Sequence, residues 1–162
     1  MRNDVGRRID YYDDPSAPKA NSLVPSANVI VTDDQGRILL IHRTDNDNWA
    51  VPGGAMDLGE SLPDTAVRET LEETGIHVEV TGLVGIYTDP KHVILYTSNG
   101  EARQEFSVVF TARPVGGEPK TSDESREVRW MAPEDIPGLT MDPSMRTRVM
   151  HHLSGDGVPH LG

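Results

Sequence analysis

The chain has 162 residues, 36% of them hydrophobic, which is enough for one domain with a sizeable core. Its formal net charge of −11 argues against nucleic acid or an anionic membrane surface as a partner, and no apolar run is long enough to span a membrane. The absence of cysteine excludes disulfides and thiolate metal sites and fits a cytoplasmic location.

Residues 1–24 are predicted to form an N-terminal extension outside the main domain. The segment 11–19 is rich in turn residues and shows no clear period. Its paired tyrosines, Tyr11 and Tyr12, offer packing surface to the domain or to a second subunit. We therefore expect a loosely docked arm, and the sequence leaves a homodimer open.

The next residues predict a β-hairpin and a short third strand. Residues 27–32 form the first strand, and 33–36 are a turn whose glycine can adopt positive φ. Residues 37–42 form the return strand, and their continuous apolar run predicts burial on both faces. Residues 49–54 form a short strand that is broken by two glycines.

A helix is predicted to begin at Ser61 and to end at Gly75. Ser61 and Asp64 have capping-box spacing, and Pro63 lies in the first turn, where a missing N–H is harmless. Gly75 is suited to the left-handed conformation that ends many helices. The residues predicted to form its buried stripe are Leu62, Ala66, Val67 and Leu71.

Strands dominate the second half of the chain. Asp142 and Pro143 begin a last helix that ends near Gly155, and residues 154–162 are predicted to be a mobile tail. Strands with one early and one late helix indicate an α/β (α+β) fold, in which a mixed sheet lies between helices. The four further strands are predicted at residues 78–88, 92–97, 105–112 and 128–131.

The first predicted helix carries three glutamates within one turn. Glu69 is three and four residues from Glu72 and Glu73, so the three carboxylates share a face. They either form a solvated surface or surround a cation, and hard divalent cations such as Mg²⁺ take oxygen ligands and are shared with substrate phosphates. The preceding Gly53 and Gly54 let the main chain approach a ligand closely.

The spacing of residues 54–76 resembles the Nudix hydrolase signature, G-x5-E-x7-R-E-U-x-E-E-x-G-U, where U is a bulky aliphatic residue. Thr70 departs from the pattern at one U position, although its β-branched side chain fills similar space. The resemblance covers residues 25–153 and implies a Nudix domain with an α/β/α sandwich. The matching residues are Gly54, Glu60, Arg68, Glu69, Glu72, Glu73, Gly75 and Ile76.

The resemblance also implies a metal site and a reaction. The Gly54 carbonyl, Glu69 and Glu73 are expected to bind Mg²⁺, with Mn²⁺ as the alternative, and Glu72 helps directly or through water. Water would attack a phosphorus of a nucleoside diphosphate linked to another group, with Glu69 or an acid outside the signature as the base. By the same resemblance, the catalytic residues are Glu69, Glu72, Glu73 and Arg68. Arg68 is expected to pair with Glu60, and Glu60 and Gly75 are expected to support the structure.

The substrate stays open among nucleoside triphosphates, ADP-ribose and nucleotide sugars. The alternative function is a nucleotide-binding sensor with a Nudix fold and no turnover, although the intact acid set argues against it. Each candidate for substrate binding also has a structural interpretation as a packing residue or surface charge. These candidates are Arg43, Trp49, Glu105, Glu124 and Glu127.

Overall fold

The computed structural model describes residues 6–162, which form three β-sheets, two α-helices and one 3₁₀ helix. The helices are α1 (Leu62–Thr74) and α2 (Pro143–Ser154), and the 3₁₀ helix is Pro133–Gly138. In the described part of the chain, no helix combines the length and apolar content needed to cross a bilayer. The strands are β1 (Arg8–Tyr12), β2 (Ser22–Leu23), β3 (Ser26–Val31), β4 (Ile38–Arg43), β5 (Trp49–Ala50), β6 (Gly53–Ala55), β7 (Ile76–Tyr87), β8 (His92–Tyr96), β9 (Glu101–Gln104), β10 (Ser107–Gly117), β11 (Ser125–Met131) and β12 (His160–Leu161).

The central sheet is mixed and has the strand order β12-β7-β10-β3-β6. Strand β10 is parallel to β3 and antiparallel to β7. The second sheet has the order β11-β4-β5, and the third has the order β1-β8-β9-β2. The short edge strand β6 pairs with β3 and leads directly into the loop before α1.

Alternating side chains on β3 place the two helices on opposite faces of the central sheet. Val29 and Val31 pack in one core cluster with Ala66 of α1. Ile30 points the other way and packs in a second cluster with Val149 of α2. Each such aliphatic side chain contributes about 1.5–3 kcal/mol when fully buried. The predicted α/β/α sandwich, with a mixed sheet between helices, is confirmed.

The apolar run of β4 is buried on both faces, as the sequence predicts. Ile38 and Leu40 join the cluster on the α2 side, and Leu39 joins the cluster on the α1 side. The strand therefore belongs to both cores. This explains why its sequence lacks the polar alternation of a half-exposed strand.

The expectation of a loosely docked N-terminal arm is wrong for residues 8–12. They form β1, which pairs antiparallel with β8 over its whole length. Asp10 accepts a 2.8 Å hydrogen bond from the buried His92, and the ring of Tyr12 stacks on the His92 ring at 4.4 Å. Of the predicted extension, residues 1–5 lie outside the described part. The homodimer stays a prediction, and Tyr12 already packs within its own chain.

Within the predicted mobile tail of residues 154–162, residues 160–161 are likewise paired, whereas 155–159 form no helix or strand. Strand β12 lies parallel to β7, and His160 stacks on Tyr87 with 4.7 Å between ring centroids. Only a handful of residues separate this strand from α2, whose His151 also stacks on His160 at 4.5 Å. The aromatic contacts hold the end of the chain against the sheet.

Helix α1 begins and ends as predicted, but its buried face is different. Ser61 and Asp64 make both bonds of the capping box, and Gly75 has a φ of 78°. Leu71, predicted to lie in the buried stripe, is 37% exposed, whereas Thr70 is fully buried. The core face follows positions 66, 70 and 74 because the acidic face must turn toward the cavity described below.

Candidate active site

Strand β6 brings the backbone of Gly54 against the side chain of Glu69. A Cβ atom added at Gly54 would lie 2.6 Å from the Glu69 carboxyl carbon, which is far too close for a real contact. Any residue with a side chain here would displace Glu69. The loop glycine is therefore required by the close approach between main chain and carboxylate.

Glu73 is a buried carboxylate. It is 4% exposed, and one of its oxygens accepts a 3.0 Å hydrogen bond from the backbone N–H of Gly53. Burial raises the pKa of Glu73 to about 8, and the charges of Glu69 and Glu124 act in the same direction. Burial also raises the pKa of Glu69, against the opposing charge of Arg68. Two poorly solvated carboxyl groups thus lie together at one site.

Arg68 connects the loop to the helix. Its Nε donates to Glu60 over 2.6 Å, and its Nη2 donates to the other oxygen of Glu60 over 2.9 Å. Nη2 also donates to the Ala55 carbonyl over 3.1 Å, while Nη1 donates to Glu69 over 2.9 Å. The pairing of Arg68 with Glu60 is as the resemblance implied, and it holds the Glu69 carboxylate in place.

Glu72 is more exposed to solvent than the other two glutamates. Its side chain is 58% exposed, and its carboxylate is 3.3 Å from Nη1 of Arg68 in an intrahelical ion pair. Within residues 6–162, no group of three or more acidic or histidine side chains is arranged to hold a metal ion. The candidate donors that line the cavity are Glu69, Glu73 and Gly54, while Glu72 stays a predicted helper that does not line it.

This donor set fits a divalent cation. Mg²⁺ is commonly held by one or two carboxylates and completes its shell with water and substrate phosphates. A cation beside Glu69 and Glu73 would favour their charged forms and so relieve the effect of burial. Because Gly54 carries no side chain, its main chain approaches Glu69 closely at the same place.

The glutamates open onto a cavity of about 810 Å³, within the size range of small-molecule sites. It lies between the loop before α1, the third sheet and the start of α2. Glu69 and Glu73 line it on the α1 side, and the rest of the wall carries five arginines together with Asp45, Glu124 and Asp142. Lining side chains that bear on the chemistry are Glu69, Glu73, Glu124, Arg43, Trp49 and Arg148.

Three of the predicted substrate-binding residues reach this cavity. Glu124 lies close enough to act on the pKa of both Glu69 and Glu73. Arg43 makes a two-bond contact with Asp45, at 2.9 Å for each bond. Trp49 stacks on His42 at 4.8 Å with nearly parallel rings, so one of its faces is already used.

Glu105 and Glu127 do not line the cavity, and for them the predicted position is wrong. Glu105 falls between β9 and β10, where the predicted strand 105–112 is interrupted, and it turns toward α2 to accept a hydrogen bond from Arg148. It is 5% exposed. Glu127 is bonded instead to Arg129 over 2.6 Å on β11.

Sequence reasoning missed Arg148, which lines the cavity from α2 and is 5% exposed. It donates to Asn28 of β3 and to Glu105, while its Nε has no partner among the described groups. A signal was available, because position 148 is next to the buried Val149 on the apolar face of the helix. A charged residue on such a face is either paired or functional.

Known proteins identify the family to which this fold belongs. The family model described as NUDIX domain matches residues 22–153. The chain therefore belongs to the NUDIX family and is a Nudix hydrolase, an enzyme class that uses divalent cations. Strand β1 lies outside the matched residues.

Three relatives illustrate the range of the family. The chain is 39% identical over 139 residues to a MutT-like protein of Streptomyces ambofaciens, a match that covers 85% of this chain and 80% of the relative. It is 32% identical to a protein described as a proposed 8-oxo-dGTP diphosphatase in Bacillus subtilis, covering 80% and 79%. It is also 32% identical to an ADP-ribose pyrophosphatase of Methanocaldococcus jannaschii, covering 69% and 64%.

Solved structures match the fold as well. A NUDIX hydrolase from Nitrosomonas europaea superimposes with a TM-score of 0.67 at 21% identity, covering 85% of this chain and 93% of that one. A MutT NUDIX hydrolase from Burkholderia pseudomallei superimposes with a TM-score of 0.65 at 26% identity, covering 81% and 98%.

Proposed function

We propose that this chain is a Mg²⁺-dependent pyrophosphohydrolase of nucleoside diphosphate derivatives, with Mn²⁺ as an alternative ion. The observation that carries the proposal is the convergence of Glu69, Glu73 and Glu124 on one cavity. Burial and mutual repulsion raise the pKa of Glu73 to about 8, which is the condition that a bound cation reverses. The Gly54 main chain completes the set.

Each residue of the site has a separate role in this proposal. Glu69, Glu73 and the Gly54 carbonyl hold the cation, which when bound neutralises the phosphate oxygens and activates water. A carboxylate oxygen of Glu124 or Glu69 accepts the proton of the attacking water. The water oxygen forms a new bond to phosphorus, the bridging P–O bond breaks, and the second phosphate leaves with the electron pair. Arg68 keeps Glu69 in position.

The cavity and the names of two relatives support this substrate class. Two of the relatives have names that refer to 8-oxo-dGTP and to ADP-ribose, and both compounds are nucleoside diphosphates linked to a further group. In the cavity, Arg43 is suited to a phosphate. Trp49 also lines it, but His42 stacks on its ring and the Arg129 guanidinium lies 5.7 Å from its ring centroid, so contact with a base stays a prediction. Nucleoside triphosphates, including oxidised ones, ADP-ribose and nucleotide sugars are the candidates.

A substrate panel with product identification, run with Mg²⁺, with Mn²⁺ and with chelator, tests the proposal. We expect metal-dependent cleavage of a P–O–P bond in at least one compound. Glu73→Gln should lower turnover by several orders of magnitude and leave the fold intact, because Gln can still accept the hydrogen bond from Gly53. Glu79→Gln, on an exposed ion pair with Arg113, is the matched control.

The same panel decides against the alternative of a sensor. Tight binding of a nucleotide without cleavage under any metal condition would support a binding module. Full activity in Glu73→Gln would instead refute the metal assignment while leaving the enzyme class intact.

A further inference from the structure

Five arginines line the cavity, together with five acidic residues. The chain has 15 lysines and arginines and a net charge of −11, so a third of its basic residues lie here. The carboxylates of α1 are negatively charged, so they bind phosphate only through the proposed cation. Arg43 lies near enough for its charge to act on Glu73, so the arginines of the cavity extend from the proposed cation site to β1.

Arg8 is the most informative of these arginines because it comes from β1, outside the residues that the family model matches. Backbone pairing with β8 sets Arg8 opposite Tyr96. Asp10 orients the guanidinium through bonds of 2.8 Å to Nε and 3.1 Å to Nη2. Asp10 is itself fixed by the buried His92. The strand thus presents Arg8 at the cavity on a rigid support.

Arg43 approaches the same place from β4 in a similar arrangement. Asp45 raises the pKa of Arg43 through two hydrogen bonds, while the positive charge of Arg8 acts in the opposite direction. Arg8 also influences Asp45, so the two ion pairs are neighbours. Among residues 6–162, neither arginine has a hydrogen-bond partner at Nη1. The Arg8 and Arg43 side chains are 36% and 26% exposed, so these donors are accessible.

We infer that Arg8 and Arg43 together bind a phosphoryl group of the substrate beyond those held by the cation. Two guanidinium groups with unused Nη1 donors that line one cavity and interact through their charges are suited to a phosphate. A nucleoside triphosphate supplies such a group, whereas a nucleotide sugar places an uncharged sugar there. Arg8 is therefore a specificity residue that favours triphosphates. This inference rests on the proposed pyrophosphohydrolase function.

Binding of inorganic tripolyphosphate in the presence of EDTA tests this arginine pair without turnover. We expect Arg8→Gln and Arg43→Gln each to weaken binding about tenfold or more, since a hydrogen bond to a charged group is lost. The affinity of Arg8→Lys should lie between those of the two glutamine variants and the wild type, because lysine keeps the positive charge but lacks the planar guanidinium donors. Arg113→Gln removes the same charge from an exposed pair on β10 and should bind as the wild type.

Kinetics provide the second readout. In Arg8→Gln, KM for a nucleoside triphosphate should rise about tenfold with kcat little changed, while KM for a nucleotide sugar stays constant. Thermal unfolding checks that β1 remains in place. Equal tripolyphosphate affinities for wild type and Arg8→Gln, including no binding by either, would overturn the inference. Failure of the proposed function looks different, because the wild type would then cleave nothing in the panel.

Discussion

Arg68 and Glu60 are joined by two parallel hydrogen bonds, of 2.6 Å from Nε and 2.9 Å from Nη2. Such forked contacts fix direction as well as distance. The same guanidinium reaches the Ala55 carbonyl and the Glu69 carboxylate. One side chain therefore sets the position of the loop before α1 and of a proposed metal ligand on α1.

Replacing Arg68 should weaken metal binding more than it harms the fold. In Arg68→Gln, Glu69 loses the partner that orients it, and groups that support metal ligands typically change affinity by about 10–100-fold. We expect the Mg²⁺ concentration for half-maximal activity to rise by this factor. Activity measured over a Mg²⁺ titration checks the result.

Arg68→Lys distinguishes the effect of the positive charge of Arg68 from that of its hydrogen-bond geometry. Lysine keeps the positive charge beside Glu60 and Glu69 but lacks the planar fork. It should recover only part of the Mg²⁺ affinity. If Arg68→Gln and the wild type have the same metal dependence, Arg68 has no positioning role.

Glu124 and Glu127 should differ, although they lie close together in sequence. Glu124 faces the cavity and acts on Glu69 and Glu73, whereas Glu127 is bonded to Arg129 away from it. We expect Glu124→Gln to lower turnover strongly and Glu127→Gln to have little effect. Steady-state rates of the two variants at saturating Mg²⁺ measure this. Wild-type rates in both variants would show that the loop before β11 takes no part in the reaction.

The helix that carries the glutamates was predictable because its determinants are local. The capping box at Ser61, the left-handed Gly75 and the proline in the first turn all act within a few residues. The match of residues 54–76 to the family signature adds fixed spacing. Only Leu71 was wrongly assigned to the buried stripe, because apolar spacing favours it over Thr70, although the signature expects a bulky aliphatic residue at position 70.

The opposite wall of the cavity was not predictable from local pattern. Arg8 reaches it through pairing with β8, which lies more than eighty residues away in sequence. Glu105 leaves the site because the chain is interrupted between β9 and β10, a break that alternation over residues 105–112 conceals. Contacts between distant segments decide both outcomes, and periodicity carries no information about them.

The buried triad of Asp10, His92 and Glu105 should make stability depend on pH. Burial acts to lower the pKa of His92, but the bonds to Asp10 and Glu105 outweigh it and raise the pKa to about 9. A raised pKa means that the folded state holds the proton more tightly. The contribution of His92 to the free energy of unfolding is fully present below about pH 6.5 and is lost as the pH rises through about 9.

Urea unfolding at pH 6 and pH 9.5 measures this effect. The free energy of unfolding should fall by on the order of 2 kcal/mol between the two conditions. His92→Gln should be less stable at pH 6 and should show a much flatter profile. His77→Gln, at an exposed position of β7, should follow the wild type. The same slope in His92→Gln as in the wild type would exclude His92 as the titrating group.

Thr70, the one departure from the family signature, tests what its position requires. It is fully buried, and its hydroxyl donates 2.7 Å to the Ala66 carbonyl one turn earlier. Such bonds within a helix add little, because the carbonyl already accepts a backbone bond. Thr70→Val should therefore be at least as stable as the wild type. Thr70→Ser removes a buried methyl group and should cost about 1 kcal/mol. Thermal unfolding of both variants checks the order, and a larger loss in Thr70→Val would mean that the hydroxyl, not the methyl group, is what the core needs.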